Sequence, residues 1–148
     1  MKTAILTLVF VAITSFAFSQ NDMNPPRRVR ESFQRTYPQS KPSHWSFSSS
    51  GWNVVFEDRD NDNGEVTARF DGKGRHIDSR IVYDNNDVPA PVKENLHRKY
   101  DGADNYEFTR IDRPGKEDIY QARFRHHQKH KTRYLDETGQ EKEFHDRH

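Results

Sequence analysis

Residues 29–38, VRESFQRTYP, decide how this chain is read, because their pattern returns 63 residues later in residues 91–100, PVKENLHRKY. Val29, Phe33 and Tyr37 stand at i, i+4 and i+8, one apolar stripe along a helix, and Pro38 stops it. Val92, Leu96 and Tyr100 repeat that spacing, and Pro91 suits a first helical turn. Two short amphipathic helices are therefore expected.

The segments downstream of the two helices also match. After the first come Trp45 and Phe47, a serine turn ending at Gly51, and the alternating run Trp52, Val54, Phe56. Next come Val66, Ala68 and Phe70, a turn at Asp71–Gly74, and residues 76–83. Alternation puts each triplet on one face of a strand. After the second helix come Tyr106 and Phe108, a Pro114–Gly115 turn, Tyr120–Phe124, Arg133–Leu135, a turn at Asp136–Gly139, and a polar end carrying Phe144. Residues 70–74 (FDGKG) and 135–139 (LDETG) align at a spacing of 65.

Each half thus reads as a helix and three or four antiparallel strands joined by short turns. A sheet with one buried face needs a cover, and the amphipathic helix supplies it. A half of about 60 residues has little core by itself, so the halves are expected to share one structure. The fold class expected is α+β: two tandem helix-plus-antiparallel-sheet (α-β4-like) repeats in one domain, with helices over one face. The boundaries are a signal peptide at 1–19, a polar lead-in at 20–28 and a domain at 29–148. Repeat one takes 29–84 and repeat two 85–148.

The motifs TYP, GWNVVF and ARFDGKG, then VKENLHRKY, IYQARF and RYLDETG, resemble the PepSY-like family of β-lactamase-inhibitor-like proteins across Val29 to Phe144. The resemblance implies tandem α-plus-sheet repeats, an exported bacterial protein without known enzyme activity, and protein binding through the open sheet face and its hairpins. Lys142 and Arg133 depart from the pattern, falling where the first half is apolar.

Composition agrees with that reading. Residues 1–19 hold 13 of the 46 apolar side chains, leaving 33 among 129, and those 129 carry 23 basic and 23 acidic residues. Lys2, an apolar run at 4–13 and small residues at Ala17 and Ser19 form the three-part secretory pattern, with a cut expected after Ser19. The run is too short for the ~20 residues that span a bilayer. A periplasmic or secreted protein with no transmembrane segment after cleavage is expected. No cysteine is present, which removes disulfides, zinc ribbons and a lipid-modified N-terminus.

Chemistry is sparse. Asp58, Asp60 and Asp62 mimic positions 1, 3 and 5 of a calcium loop, but Gly64 is one residue late and Arg69 stands where the bidentate glutamate belongs. His126, His127 and His130, with His145 and His148, would gather a transition metal only if hairpin and tail converge. No nucleophile elbow or phosphate loop appears, so neither enzyme activity nor a cofactor is expected.

The remaining signal is charge. The loop after the second strand holds Glu57, Asp58, Asp60, Asp62 and Glu65 against Arg59. Its counterpart holds Arg123, Arg125, Lys129, Lys131, Arg133 and three histidines without an acid. Asp58, Asp60, Asp62 and those five cations are the candidate partner-binding residues, steering a protein partner or a second copy. Nucleic acid is not expected on a neutral chain. The function expected is an exported, non-catalytic interaction module, inhibitor-like towards a periplasmic or secreted enzyme. The alternative is an ion-binding or envelope-surface protein.

Overall fold

The structure, a computed structural model, describes residues 23–58 and 64–145. Helix α1 (Arg27–Thr36) leads to strands β1 (Pro42–Ser48), β2 (Gly51–Glu57), β3 (Glu65–Phe70) and β4 (His76–Tyr83). Helix α2 (Ala90–Lys99) is next, then β5 (Asp104–Asp112), β6 (Ile119–His126) and β7 (Lys129–Leu135). All seven strands form one antiparallel sheet in chain order. Strand direction therefore alternates. The β1–β2, β3–β4 and β5–β6 turns share one end of the sheet, and the β2–β3 and β6–β7 hairpins share the other.

Each helix has ten residues, too few to persist alone in water. Neither has a side-chain N-cap. Instead the Pro26 carbonyl accepts the Val29 N–H at 2.9 Å, and the Pro89 carbonyl accepts that of Val92 at 3.1 Å. Both helices end alike, Tyr37 N–H donating to Phe33 O and Tyr100 N–H to Leu96 O, each at 2.8 Å. Burial of Val29, Phe33, Val92 and Leu96 then holds them to the sheet.

The two aspartate turns lock to those helices in the same way. Asp71 Oδ1 accepts the N–H groups of Lys73 and Arg75, and Asp136 Oδ1 those of Thr138 and Gln140, at 2.9–3.0 Å. Gly74 (φ +83°) presses on the Arg28 carbonyl and Gly139 (φ +81°) on that of Pro91. A Cβ there would lie 2.7 and 2.3 Å from the respective oxygens. Only glycine fits such an approach.

Register assigns the two faces. Trp52, Val54 and Phe56 oppose Phe70, Ala68 and Val66 on the covered face. Asn53, Val55, Arg69, Thr67, Arg80 and Val82 lie on the other, which carries no helix. As the alternation requires, Val54, Phe56, Val66, Ala68, Phe70, Phe108 and Tyr120 are buried. Trp45 and Trp52 pack only partly buried at the margin of the core, and Phe47 beside Trp52 is 56% exposed.

Three features differ from the sequence expectation. The sheet is shared, but the interior is two clusters, one under each helix, with Tyr83 packed against both. A helix about 10 Å wide covers only two to three strands spaced about 4.8 Å, so two helices leave a seam near β4–β5. Secondly, α1 begins at Arg27, inside the expected lead-in. Thirdly, among the described residues the second half has three strands and not the four of an α-β4 unit; beyond β7 Glu141 bridges back to Leu135. Its side chains there are charged and held by charges: Lys142 reaches Asp136 (2.8 Å) and Glu141 reaches Lys99 (2.9 Å), so no apolar face extends the sheet.

Candidate functional site

The helix-free face sets out side chains that neither helix covers. Close to the β3–β4 turn, β3 and β4 place Arg69 opposite Asp78. Arg69 Nε donates to Asp78 Oδ1 at 2.6 Å and a second bond joins Nη2 to Oδ2, while Arg80 stands 3.5 Å away. Arg69 and Asp78 are both buried, so this fork is a fixed support beneath the face. Around it stand Val55, Thr67, Thr109 and the 72%-exposed Val82.

The tail leans on the same face. Lys142 N–H donates to Tyr134 O (2.8 Å), the Phe144 ring lies 4.8 Å from that of Tyr134, and the Arg113 guanidinium sits 5.3 Å from the Phe144 ring centre. Between this tail and the β1–β2, β3–β4 and β5–β6 turns opens a cleft of about 700 Å³.

The covered face carries a polar seam between the helices. His76 Nε2 lies 2.8 Å from Ser79 Oγ, which also bonds the Tyr37 hydroxyl. Burial pushes the His76 imidazole below its ordinary pKa and the Tyr37 phenol above it. Sequence spacing gave no sign of this serine–histidine contact. Ser79 is 3% exposed beneath Tyr37, whereas a nucleophile needs access to its substrate. Beside it Asp112 takes two bonds of 2.6 Å from Arg110, whose Nη1 reaches the Tyr83 hydroxyl at 2.5 Å. Asp112 thereby raises the pKa of Arg110. Asp118, 3.7 Å from Arg110, is a carboxylic acid raised by burial and then by the Asp112 charge. No spacing in the sequence marked such a carboxylate.

The residues expected to bind a partner are divided by the sheet. Asp60 and Asp62 lie outside the described residues. Asp58 comes directly after β2 and its N–H donates to Gly64 O at 3.3 Å. Arg123 and Arg125 lie on the helix-free face, and Arg125 is clamped to Asp104 by bonds of 3.0 and 2.9 Å. Lys129, Lys131 and Arg133 pair with His126, Phe124 and Ala122 and so point to the helix side. There the Lys131 ammonium and Arg133 guanidinium lie 5.8 and 5.3 Å from the Tyr100 ring centre, and Arg133 Nε donates to its hydroxyl at 2.5 Å. The five cations do not converge, and two have acid partners, Asp104 and Glu141, that come from distant sequence. The histidines part as well: the His126 and His127 rings lie 3.9 Å apart, tilted, on the hairpin, while His145 lines the cleft at the opposite end. Among the described residues no group of three or more His, Asp or Glu side chains is placed to hold a metal ion.

No family model matches this chain, and no curated protein does. Solved structures do, and they define its class. A BLIP-like protein from Bacteroides fragilis superposes with a TM-score of 0.71 at 14% identity, over 82% of this chain and 85% of that one. A DUF2874 family protein from Bacteroides uniformis gives 0.69 at 18% identity, over 78% and 85%. A protein from Bacteroides eggerthii, provisionally named periplasmic, gives 0.70 at 14%, over 80% and 86%. The chain thus has a BLIP-like fold. Among its described residues no helix is long and apolar enough to cross a membrane.

Proposed function

We propose that this chain is an exported, non-catalytic module that docks a folded protein partner on the helix-free face of its sheet. One observation carries the reading: both helices lie on the same side of a seven-stranded sheet, leaving the other face, with exposed Val82 above the buried Arg69–Asp78 fork, free of helices over β1–β4. A surface held by a continuous backbone ladder needs little ordering on binding. The leader at residues 1–19, the PepSY-like motifs and the BLIP-like fold support the same reading.

The identical helix ends and glycine contacts at offsets of 63 and 65 support an origin of the two halves by duplication. Strand direction puts the acidic and basic hairpins at one end, roughly 19 Å apart by four strand spacings. Asp58 beside one hairpin and Arg123 and Arg125 on the helix-free side of the other then orient the approaching partner.

The test is a photo-crosslinking amino acid placed in expressing cells at Thr67 or Val82 on the helix-free face, and at Gln34 or Arg98 on the outer helix surfaces. A discrete adduct is expected from the first two positions alone, at twice the chain mass if the partner is a second copy. Equal adducts from the helix positions, or none from Val82, reject the reading.

A further inference from the structure

We propose that the cleft at the turn end of the helix-free face receives a carboxylate-bearing segment of the docked protein, an acidic loop rather than a free acid; this rests on the docking reading above. The cleft is cationic because Arg69, Arg75, Arg113 and Lys116 outnumber the two acids of its lining, Asp71 and Asp78. Asp78 is buried against Arg69 and Arg80, and Asp71 is taken up by two backbone N–H groups and by Arg75. The cations are presented outward: the Arg75 side chain is 83% exposed, Lys116 is exposed, and Arg113 stands on the wall. Arg113 donates from Nη2 to Glu117 O at 3.0 Å, whereas its Nε has no hydrogen-bond partner among the described residues.

Shape points the same way. Phe144 and Ile77 give the cleft apolar lining that suits the methylenes of a glutamate, and Ser49 and Ser50 add hydroxyls. The nearby acids Glu117, Asp118, Asp136 and Glu137 open into a separate hollow and do not line this one. A volume of about 700 Å³ is in the range of sites that bury whole ligands, more than one carboxylate fills, which favours a segment of chain.

Isotope-labelled protein titrated at low salt with capped hexaglutamate, capped hexaglutamine and free glutarate tests the idea by amide chemical shifts. Hexaglutamate is expected to shift Ser49, Ser50, Arg75, Ile77 and Lys116 saturably, hexaglutamine not at all, and glutarate much more weakly. Neutralising one exposed cation, Lys116→Gln or Arg75→Gln, is expected to weaken hexaglutamate binding about threefold, and both together about tenfold. Arg98→Gln on α2 is expected to leave it unchanged. Arg113→Gln adds a third variant where it melts as the parent does; Lys116→Gln and Arg75→Gln suffice where it does not.

Shifts centred on the β6–β7 hairpin, equal weakening by Arg98→Gln, or no saturable shift would overturn the cleft assignment. Glutarate binding as tightly as hexaglutamate would overturn its assignment to a protein segment. Crosslinking from Val82 separates the two claims. Adducts without hexaglutamate binding remove the cleft alone. Binding without adducts removes the docked protein as its occupant and the docking reading with it.

Discussion

Gly139→Ala measures how far the aspartate turn is built into the fold. At φ +81° an alanine carries the left-handed cost of roughly 1–2 kcal/mol. Its Cβ would also stand 2.3 Å from the Pro91 carbonyl oxygen, so the turn or the start of α2 must retreat by at least 0.7 Å to reach the 3.0 Å floor for such contacts. Forcing packed elements apart costs a further ~1–3 kcal/mol. The sum, about 2–5 kcal/mol, is a large fraction of the ~5–15 kcal/mol that holds a typical domain. Gly115 supplies the control: φ is +67° there, but nothing lies within 4 Å of its added Cβ, so Gly115→Ala should cost only the backbone part. Urea unfolding reads both, and a fall in midpoint at constant slope isolates stability from compactness. Equal losses for Gly139→Ala and Gly115→Ala would refute the claim that the turn bears on the helix. Gly74→Ala, against the Arg28 carbonyl, should behave like Gly139→Ala.

Other substitutions probe the core, the fork and the seam. Arg69→Ala should cost up to about 3–5 kcal/mol in the same urea assay by leaving buried Asp78 only Arg80 at 3.5 Å among the described residues, and Arg69→Met with Asp78→Leu should recover part of it. Phe33→Ala, which removes a ring in contact with Tyr37, Trp45, Phe56 and Phe70, should cost about 3–5 kcal/mol. Two pH windows should separate in stability measurements. Burial keeps His76 neutral, so the unfolded chain takes a proton first as pH falls below about 6.5, and stability drops there; His76→Asn should flatten that step. Burial alone would raise Asp136, but bonds from Lys142, Thr138 and Gln140 pull it down to about 2. Its contribution is therefore full above about 4 and is lost as pH falls towards 2, a loss that Asp136→Asn should remove.

Much of the architecture could be read along the chain because it rests on local periodicity. The i, i+4, i+8 stripes found both helices to within about two residues, and the alternation at Trp52–Phe56 and Val66–Phe70 fixed which side chains face the helices. The paired aspartate turns were equally legible, since an aspartate with a glycine close behind it is a local device for reversing the chain. The candidate site was far less so. Arg125 and Arg133 read as free charge in the sequence, yet Asp104 and Glu141 meet them from other segments. Arg69 and Asp78 are nine residues apart on two strands, and only the antiparallel β3–β4 register sets them face to face.

The leader pattern, the two amphipathic helices and the strands with one apolar and one polar face were all written in the order of residues. Each of these depends on residues a few positions apart, so spacing and side-chain chemistry suffice. Long-range assembly was needed to put both helices on one side of a single sheet, to divide the interior into two clusters, and to close three turns and the tail around a cationic cleft. Those outcomes depend on strand register and on the limited width of a helix laid across seven strands, and neither quantity is encoded in any short stretch of residues.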